Sequence, residues 1–360
     1  MQPAHARINK AQLSFVGENT PVKPKFIGRR VFKNIDLSLI AQYIDWSPFF
    51  QTWDLAGAYP AILSDKVVGE AATKVFVEAQ AMLKKIIDGR WLTANGVIAL
   101  MPANTVNDDD IEIYTDESRS QVAFTYYGMR QQSVKPVIDG VARPNQCLSD
   151  FIAPKSPVTP LSVGVESLKP LDSDPVSQYG AGFKPRNDEH GVADYIGLFA
   201  VTAGLGTEKI EKRFVDANDD YSGIMFKSLA DRLAEAFAEY MHERIRTDFW
   251  GYASSEKLGV EALIKEQYAG IRPAPGYPAC PDHTVKADMF HLLQCDEIDM
   301  QLTDSFAMMP AAAVSGFYLA HPQAKYFSVD KIGTDQLEDM AKRRNLPKDY
   351  LERWLAPNLG

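Results

Sequence analysis

YIGLFAVTAGLG, residues 195–206, is the stretch on which the fold turns. Its first part is an uncharged, continuous apolar run, the mark of a buried strand. It ends in Gly204-Leu205-Gly206, and helical periodicity begins at 207. Strand, glycine turn and helix together open a dinucleotide-binding βαβ unit, so a Rossmann fold is the first possibility to test. The phosphate-binding fingerprint needs GxGxxG, but its last place is held by Lys209. No acidic residue closes a clear second strand at the required distance. The two glycines therefore read as a helix-entry turn.

The chain around this run does not alternate strand and helix. Residues 36–56 turn helical through Leu37, Ile40, Ala41 and Ile44, until Pro48 interrupts. Residues 67–87 carry an apolar stripe from Val68 to Ile86 at 3–4 spacing, stopped by Asp88-Gly89. Residues 95–102, IEIY (111–114) and 121–127 read as strands, and 207–217 and 222–247 as helices. Lys286–Leu293 is helical, Phe317–Tyr318 and Lys325–Val329 are strands, and 334–355 closes with helices. Long helices, short strands and irregular connections predict an α+β fold. Residues 1–30, with Pro21 and Pro24, predict an extended arm or linker, and 31–360 the body. Residues 155–192, with five prolines among Ser, Asp and Gly, predict a loop insertion.

Composition narrows the function classes. The 360 residues are 46% hydrophobic and 24% charged, with a net charge of −9. These are ordinary globular values. A mildly acidic chain argues against nucleic acid or anionic membrane as partner. Cys147, Cys280 and Cys295 are too scattered for a disulfide framework or a structural zinc site. No apolar window suits a membrane span and the N-terminus lacks a secretory pattern, so a cytoplasmic protein is expected. Asp108, Asp109 and Asp110 lack the glycine and distal glutamate of a calcium loop and read as a solvated turn.

Two features invite a site. On the long helix, Asp231, Glu235 and Glu239 follow one another at i,i+4. Like charges so spaced repel. The line is either a solvated face relieved by Arg232 and Arg244, or one of its acids meets a cation from elsewhere. The second feature is GIRPAPGYPACP, residues 270–281. Four prolines fix φ and remove four donors, which makes a stiff arch. Arg272 on it can grip a carboxylate with both prongs of its guanidinium. A purely structural proline turn is equally compatible with these residues.

The segment GIRPAPGYPACPDHT also resembles the signature of the S-adenosylmethionine-binding activation domain of cobalamin-dependent methionine synthase. YIDWSPFFQTW (43–53), DDDIEIY (108–114), MRQQ (129–132), CLSDFIAP (147–154), KSLADRLAEAFAEYMHERIR (227–246), SFAMMPAAAVSGFYLAHPQAKYF (305–327) and LERWLAPNLG (351–360) are similar to family segments in the same order. The resemblance covers roughly residues 30–360. It implies a single curved α+β unit with a twisted antiparallel sheet flanked by helices, joined through 1–30 to a cobalamin domain. Members usually continue a few residues past Gly360, so the chain resembles a fragment of a longer one. No folate, homocysteine or cobalamin module, and no DxHxxG motif, is visible.

Residue by residue, the resemblance implies that Asp65 contacts the ligand and Arg272 takes its carboxylate. Ala274 and Tyr277 would supply backbone and ring contacts, and Glu235 would lie near the amino-acid end. Tyr326 and Phe327 match an aromatic pair. Phe327 replaces a tyrosine of some members, which loses a hydroxyl but keeps stacking. Asp231 matches a residue on the face turned to the cobalamin domain. The implied activity is that of a methyltransferase acting as part of the whole enzyme. S-adenosylmethionine would be presented to cobalamin on a separate domain during reductive reactivation, with flavodoxin or a flavoprotein reductase supplying the electron. The isolated domain is expected to lack the full activity. Zinc would belong only to a homocysteine domain absent here. The rival readings are a Rossmann methyltransferase acting alone, which the failed fingerprint disfavours, and a non-catalytic docking module for the reductase.

Overall fold

One long strand organises the molecule. In the computed structural model, which describes residues 2–135, 137–138, 141–155 and 191–360, strand β2 runs over Thr93–Val106. It pairs along one edge with β5 (Asp194–Leu205), from Thr93↔Leu205 to Ala103↔Asp194. Its other edge is shared by two strands in tandem. β1 (Gly28–Ile35) covers Ala94 to Leu100, and β3 (Asp110–Tyr114) covers Ala103 to Val106. Pro102 falls in the interval between them. Thr105 N–H on the β5 side bonds to Ala153 O at 3.0 Å, so alternation turns position 102 toward the tandem edge. A missing N–H there removes no ladder bond. β4 (Val122–Tyr127) follows β3, and β6 (Ala313–Tyr318) follows β5. All pairings in this six-stranded sheet are antiparallel.

Side chains alternate across the sheet, and both faces are covered. Ala94, Ile98 and Leu100 of β2 face helices α1 (Gly69–Asp88) and α3 (Asp220–Arg244). Val97, Ala99 and Met101 face α4 (Lys286–Leu293), Phe151 and the residues around Ile271 and Cys280. This two-sided burial is why the strands read as apolar runs rather than alternating ones. Helix α2 (Thr207–Asp216) starts after Gly206, as the helix-entry reading expects. Helices α5 (Thr334–Arg344) and α6 (Lys348–Leu355) form a smaller core with Met129 and Val329. No helix among the described residues is long and apolar enough to cross a membrane.

The structure departs from the sequence expectations in four places. The helix expected over 36–56 is broken into Leu37–Ile40, a 3-10 turn and Ser47–Gln51, since Pro48 can only sit in a first turn. Lys325–Val329 joins no ladder; among the described residues its one backbone–backbone bond runs from Val329 N–H to Pro278 O, 2.8 Å. The first thirty residues include a helix, Pro3–Ile8, and the start of β1. The acidic turn is solvated only in part: Asp108 is exposed, but Asp109 and Asp110 are each only 2% exposed. Asp109 takes Arg7 and Arg130, and Asp110 takes Arg343. Cations from distant segments make burial of these acids possible. The proline-rich insertion, 155–192, lies almost wholly outside the described residues.

Candidate functional site

The arch is tied to the edge of the sheet by its own backbone. Ile271 and Leu319 exchange N–H···O bonds of 2.9 and 3.0 Å, and Phe317 N–H donates to Pro273 O at 2.9 Å. The first limb of the arch therefore extends the sheet beyond β6. Gly316 makes this approach possible, because a Cβ there would lie 2.5 Å from Pro273 O. At the crest, Tyr277 N–H bonds to Ala274 O (3.1 Å) and Gly276 N–H to Cys280 O (2.7 Å). Gly276 has φ +96°, and a side chain there would strike the ring of His283. The prolines thus stiffen a turn that the ladder already anchors.

Helix α3 brings acids to the underside of the arch. Its N-terminus is set by Asp219, whose carboxylate accepts from Ser222 N–H at 3.0 Å. Leu229, Leu233 and Phe237 are fully buried against the sheet. That orientation turns Glu239 toward Arg272, whose Nη2 donates to Glu239 Oε2 at 2.5 Å. The acidic line is therefore not simply solvated, since one of its members meets a cation from another segment. One turn earlier, Glu235 Oε1 accepts a long bond, 3.5 Å, from Tyr277 Oη. Glu235 is the first cause of a raised Tyr277 hydroxyl value, ahead of burial. Burial works against the charge of Arg272, but Glu239, Tyr326 and Tyr268 outweigh it and keep the guanidinium charged.

The segment after β6 supplies the third wall. Tyr326 Oη accepts from Arg272 backbone N–H at 3.0 Å and lies 3.3 Å from Tyr268 Oη. Behind Arg272 is a buried polar cluster. His242 stacks on Tyr318 at 5.3 Å and meets the edge of Tyr268 at 4.8 Å. Burial first, then Arg246 and Arg272, push its value well down, so it is neutral. Several donors and acceptors remain open. Arg272 Nε and Glu239 Oε1 are buried with no hydrogen-bond partner in the structure. Ala274 N–H makes no hydrogen bond among the described residues.

Arg272, Ala274, Tyr277, Glu235 and Tyr326 thus come together in one place. The other expected residues lie elsewhere. Asp65 is exposed just before α1, where its Oδ1 accepts from Val67 and Val68 N–H at 2.8 and 2.9 Å. Those two amides hold its carboxyl below the usual carboxylate range. Phe327 turns its ring to Phe151, 6.4 Å away, and packs on two of the core clusters. Asp231 is exposed on α3 and makes no ion pair among the described residues. Sequence reasoning did not single out Tyr268, His242 or Tyr318. His242 follows Glu239 by three positions, a spacing that could have suggested a shared side of the helix. Tyr268 and Tyr318 carry no such pattern.

The arrangement suits a small zwitterion. A half-engaged guanidinium meets a carboxylate, open backbone and carboxylate groups meet polar atoms, and exposed rings meet an apolar or cationic part. Comparisons with known proteins show the family to which the chain belongs. The family model for the activation domain of vitamin B12-dependent methionine synthase matches residues 36–169 and 181–345. The crystal structure of the MetH reactivation domain bound to AdoHcy is similar to this chain, with 44% identity and a TM-score of 0.84. The match covers 100% of this chain and 98% of that one.

Proposed function

The chain belongs to the activation-domain family of vitamin B12-dependent methionine synthases, and on that premise we propose that its arch binds S-adenosylmethionine for reactivation of the enzyme. The observation that carries the reading is the half-used guanidinium of Arg272. Among the described residues it makes one side-chain hydrogen bond, to Glu239, its Nε is buried without a partner, and Ala274 N–H, two residues on, also has none. A buried unpaired donor is costly unless a ligand completes it. The amino-acid end of S-adenosylmethionine has the matching groups.

In this reading Arg272 takes the carboxylate and Ala274 N–H adds a backbone donor. Glu235 faces the ammonium, and the rings of Tyr277 and Tyr326 flank the nucleoside or the sulfonium. Tyr326 also holds the arch through Arg272 N–H, so binding and arch shape are linked. Asp65 and Phe327 are assigned to the ligand by resemblance alone. The chemistry with both groups bound is displacement of a methyl group from sulfonium by cobalamin, which needs no general base from this chain. The contribution of its residues is to hold the ligand in line and to keep water out. Asp231, exposed on α3, is assigned to the face that docks the cobalamin domain. Residues 1–30 serve as the connection to that domain, and flavodoxin or a flavoprotein reductase supplies the electron. The methyltransferase activity belongs to the whole enzyme, and a cytoplasmic location goes with it.

Calorimetric titration of the chain with S-adenosylhomocysteine tests this. Charge-assisted hydrogen bonds contribute about 1.5–3 kcal/mol each, so saturable one-site binding in roughly the micromolar range is expected. Absence of binding by folded protein would overturn the ligand reading and leave a docking role.

A further inference from the structure

Arg272 is held from one side. Its Nη2–Glu239 bond is the only one the guanidinium makes among the described residues. Glu239 itself is 7% exposed, and its Oε1 has no partner. Glu235, one turn away, is engaged by Tyr277 rather than by Arg272. A guanidinium is planar, so anchoring one Nη decides which way its opposite edge faces. As a bare negative charge, Glu239 would disfavour a second carboxylate on the same arginine. What it contributes to binding must then be geometric.

We propose that Glu239 is a positioning residue: its acceptor oxygen orients Arg272 toward the ligand carboxylate, and it acts through reach rather than charge. The inference rests on the ligand reading above. It separates two carboxylates of one helix into distinct tasks, Glu235 at the crest of the arch and Glu239 beneath the guanidinium.

Two conservative variants separate reach from charge. Glu239→Gln keeps the length and an acceptor but removes the charge. Glu239→Asp keeps the charge but withdraws the acceptor by one methylene. Each would be titrated with S-adenosylhomocysteine and with 5′-methylthioadenosine, which has the nucleoside thioether but no carboxylate. The readout is the preference for the first ligand over the second. The Gln variant should keep the wild-type preference within about threefold, while the Asp variant should lose roughly tenfold. Affinity for methylthioadenosine should stay unchanged in both, which shows that the site is folded. An Asp variant with wild-type preference, or a Gln variant that loses as much as Asp, overturns the positioning role alone. Wild-type protein that fails to bind S-adenosylhomocysteine overturns the ligand reading, and this inference with it.

Discussion

Two arginines of this molecule, Arg130 in the core and the partly buried Arg272 of the arch, are handled in opposite ways. Arg130 is 1% exposed, and all five of its N–H groups have acceptors. Nε donates to Asp109 (2.7 Å), Nη1 to Asn145 O (2.7 Å) and Asp150 (2.8 Å), and Nη2 to Asp108 O (3.1 Å) and Asp150 (2.7 Å). Arg272 makes one such bond and leaves a buried donor open. A saturated guanidinium has no capacity for a ligand, so Arg130 is an internal tie between the β2–β3 turn, residues 129–132 and the Leu148–Phe151 turn. An unsaturated one has a cost in the free protein that a ligand removes. Degree of hydrogen-bond completion separates Arg130 from Arg272, but an open donor alone does not mark a ligand site, since the fully buried Arg246 also leaves Nη1 and Nη2 without hydrogen-bond partners among the described residues.

The sharpest way to break this comparison is Arg130→Met. It strands Asp150 without a cation and removes one of the two cations on Asp109. Loss of a buried partner costs about 3–5 kcal/mol, so denaturant unfolding should show a shift of that size or no folded protein at all. Arg272→Ala should behave differently. One ion pair is lost and Glu239 keeps no cation, so stability should fall by about 2–3 kcal/mol. Affinity for S-adenosylhomocysteine should fall about 10- to 100-fold by calorimetry. An Arg272 variant as unstable as the Arg130 one would erase the distinction.

The last expected effect is a pH slope within the saturated region. Asp110 is pushed up to about 6, because burial outweighs the attraction of Arg343. Between its ordinary value near 3.8 and about 6, the folded protein holds a proton that the unfolded chain releases. That contribution to stability is full below the lower value and is lost as pH rises through the upper one. Asp110→Asn cannot titrate, so its stability should lack this decline, which is at most about 1.4 kcal/mol per pH unit. Denaturant midpoints of both proteins across pH 4–7 measure the difference. Parallel curves would show that Arg343 neutralises Asp110 fully.

Much of the scaffold was legible because its signals are local. The stripe of Leu229, Leu233 and Phe237 specified the buried side of α3, and the apolar run after Tyr195 specified β5. Lys209 in place of the fingerprint's last glycine, with no acidic residue closing a second strand, argued against a dinucleotide turn. β1 was not legible, since its eight residues are half-exposed or exposed and carry three cationic side chains among them. The extent of β2 was cut short at Pro102, because a proline argues against a central strand unless the neighbouring strands change over at that point. For the site, the arch and the acidic line stood out as unusual, yet neither named its partner. Phe327 reads as a partner of Tyr326 in sequence, but its ring goes to Phe151.

By itself the sequence determined the α+β class, the main helices, the stiffness of the arch and the family to which it belongs. These follow from periodicity, proline geometry and motif, each carried by residues close together in the chain. Only the tertiary structure decided which charges are paired. Glu239 finds Arg272 across 33 positions and Tyr326 reaches Arg272 N–H across 54, while Asp109 gains Arg7 from 102 positions away. Ion pairing and desolvation depend on separation in space, which chain spacing does not encode. Acidic residues therefore become solvated surface at Asp231, an ion-pair partner of Arg272 at Glu239 and buried structure at Asp109.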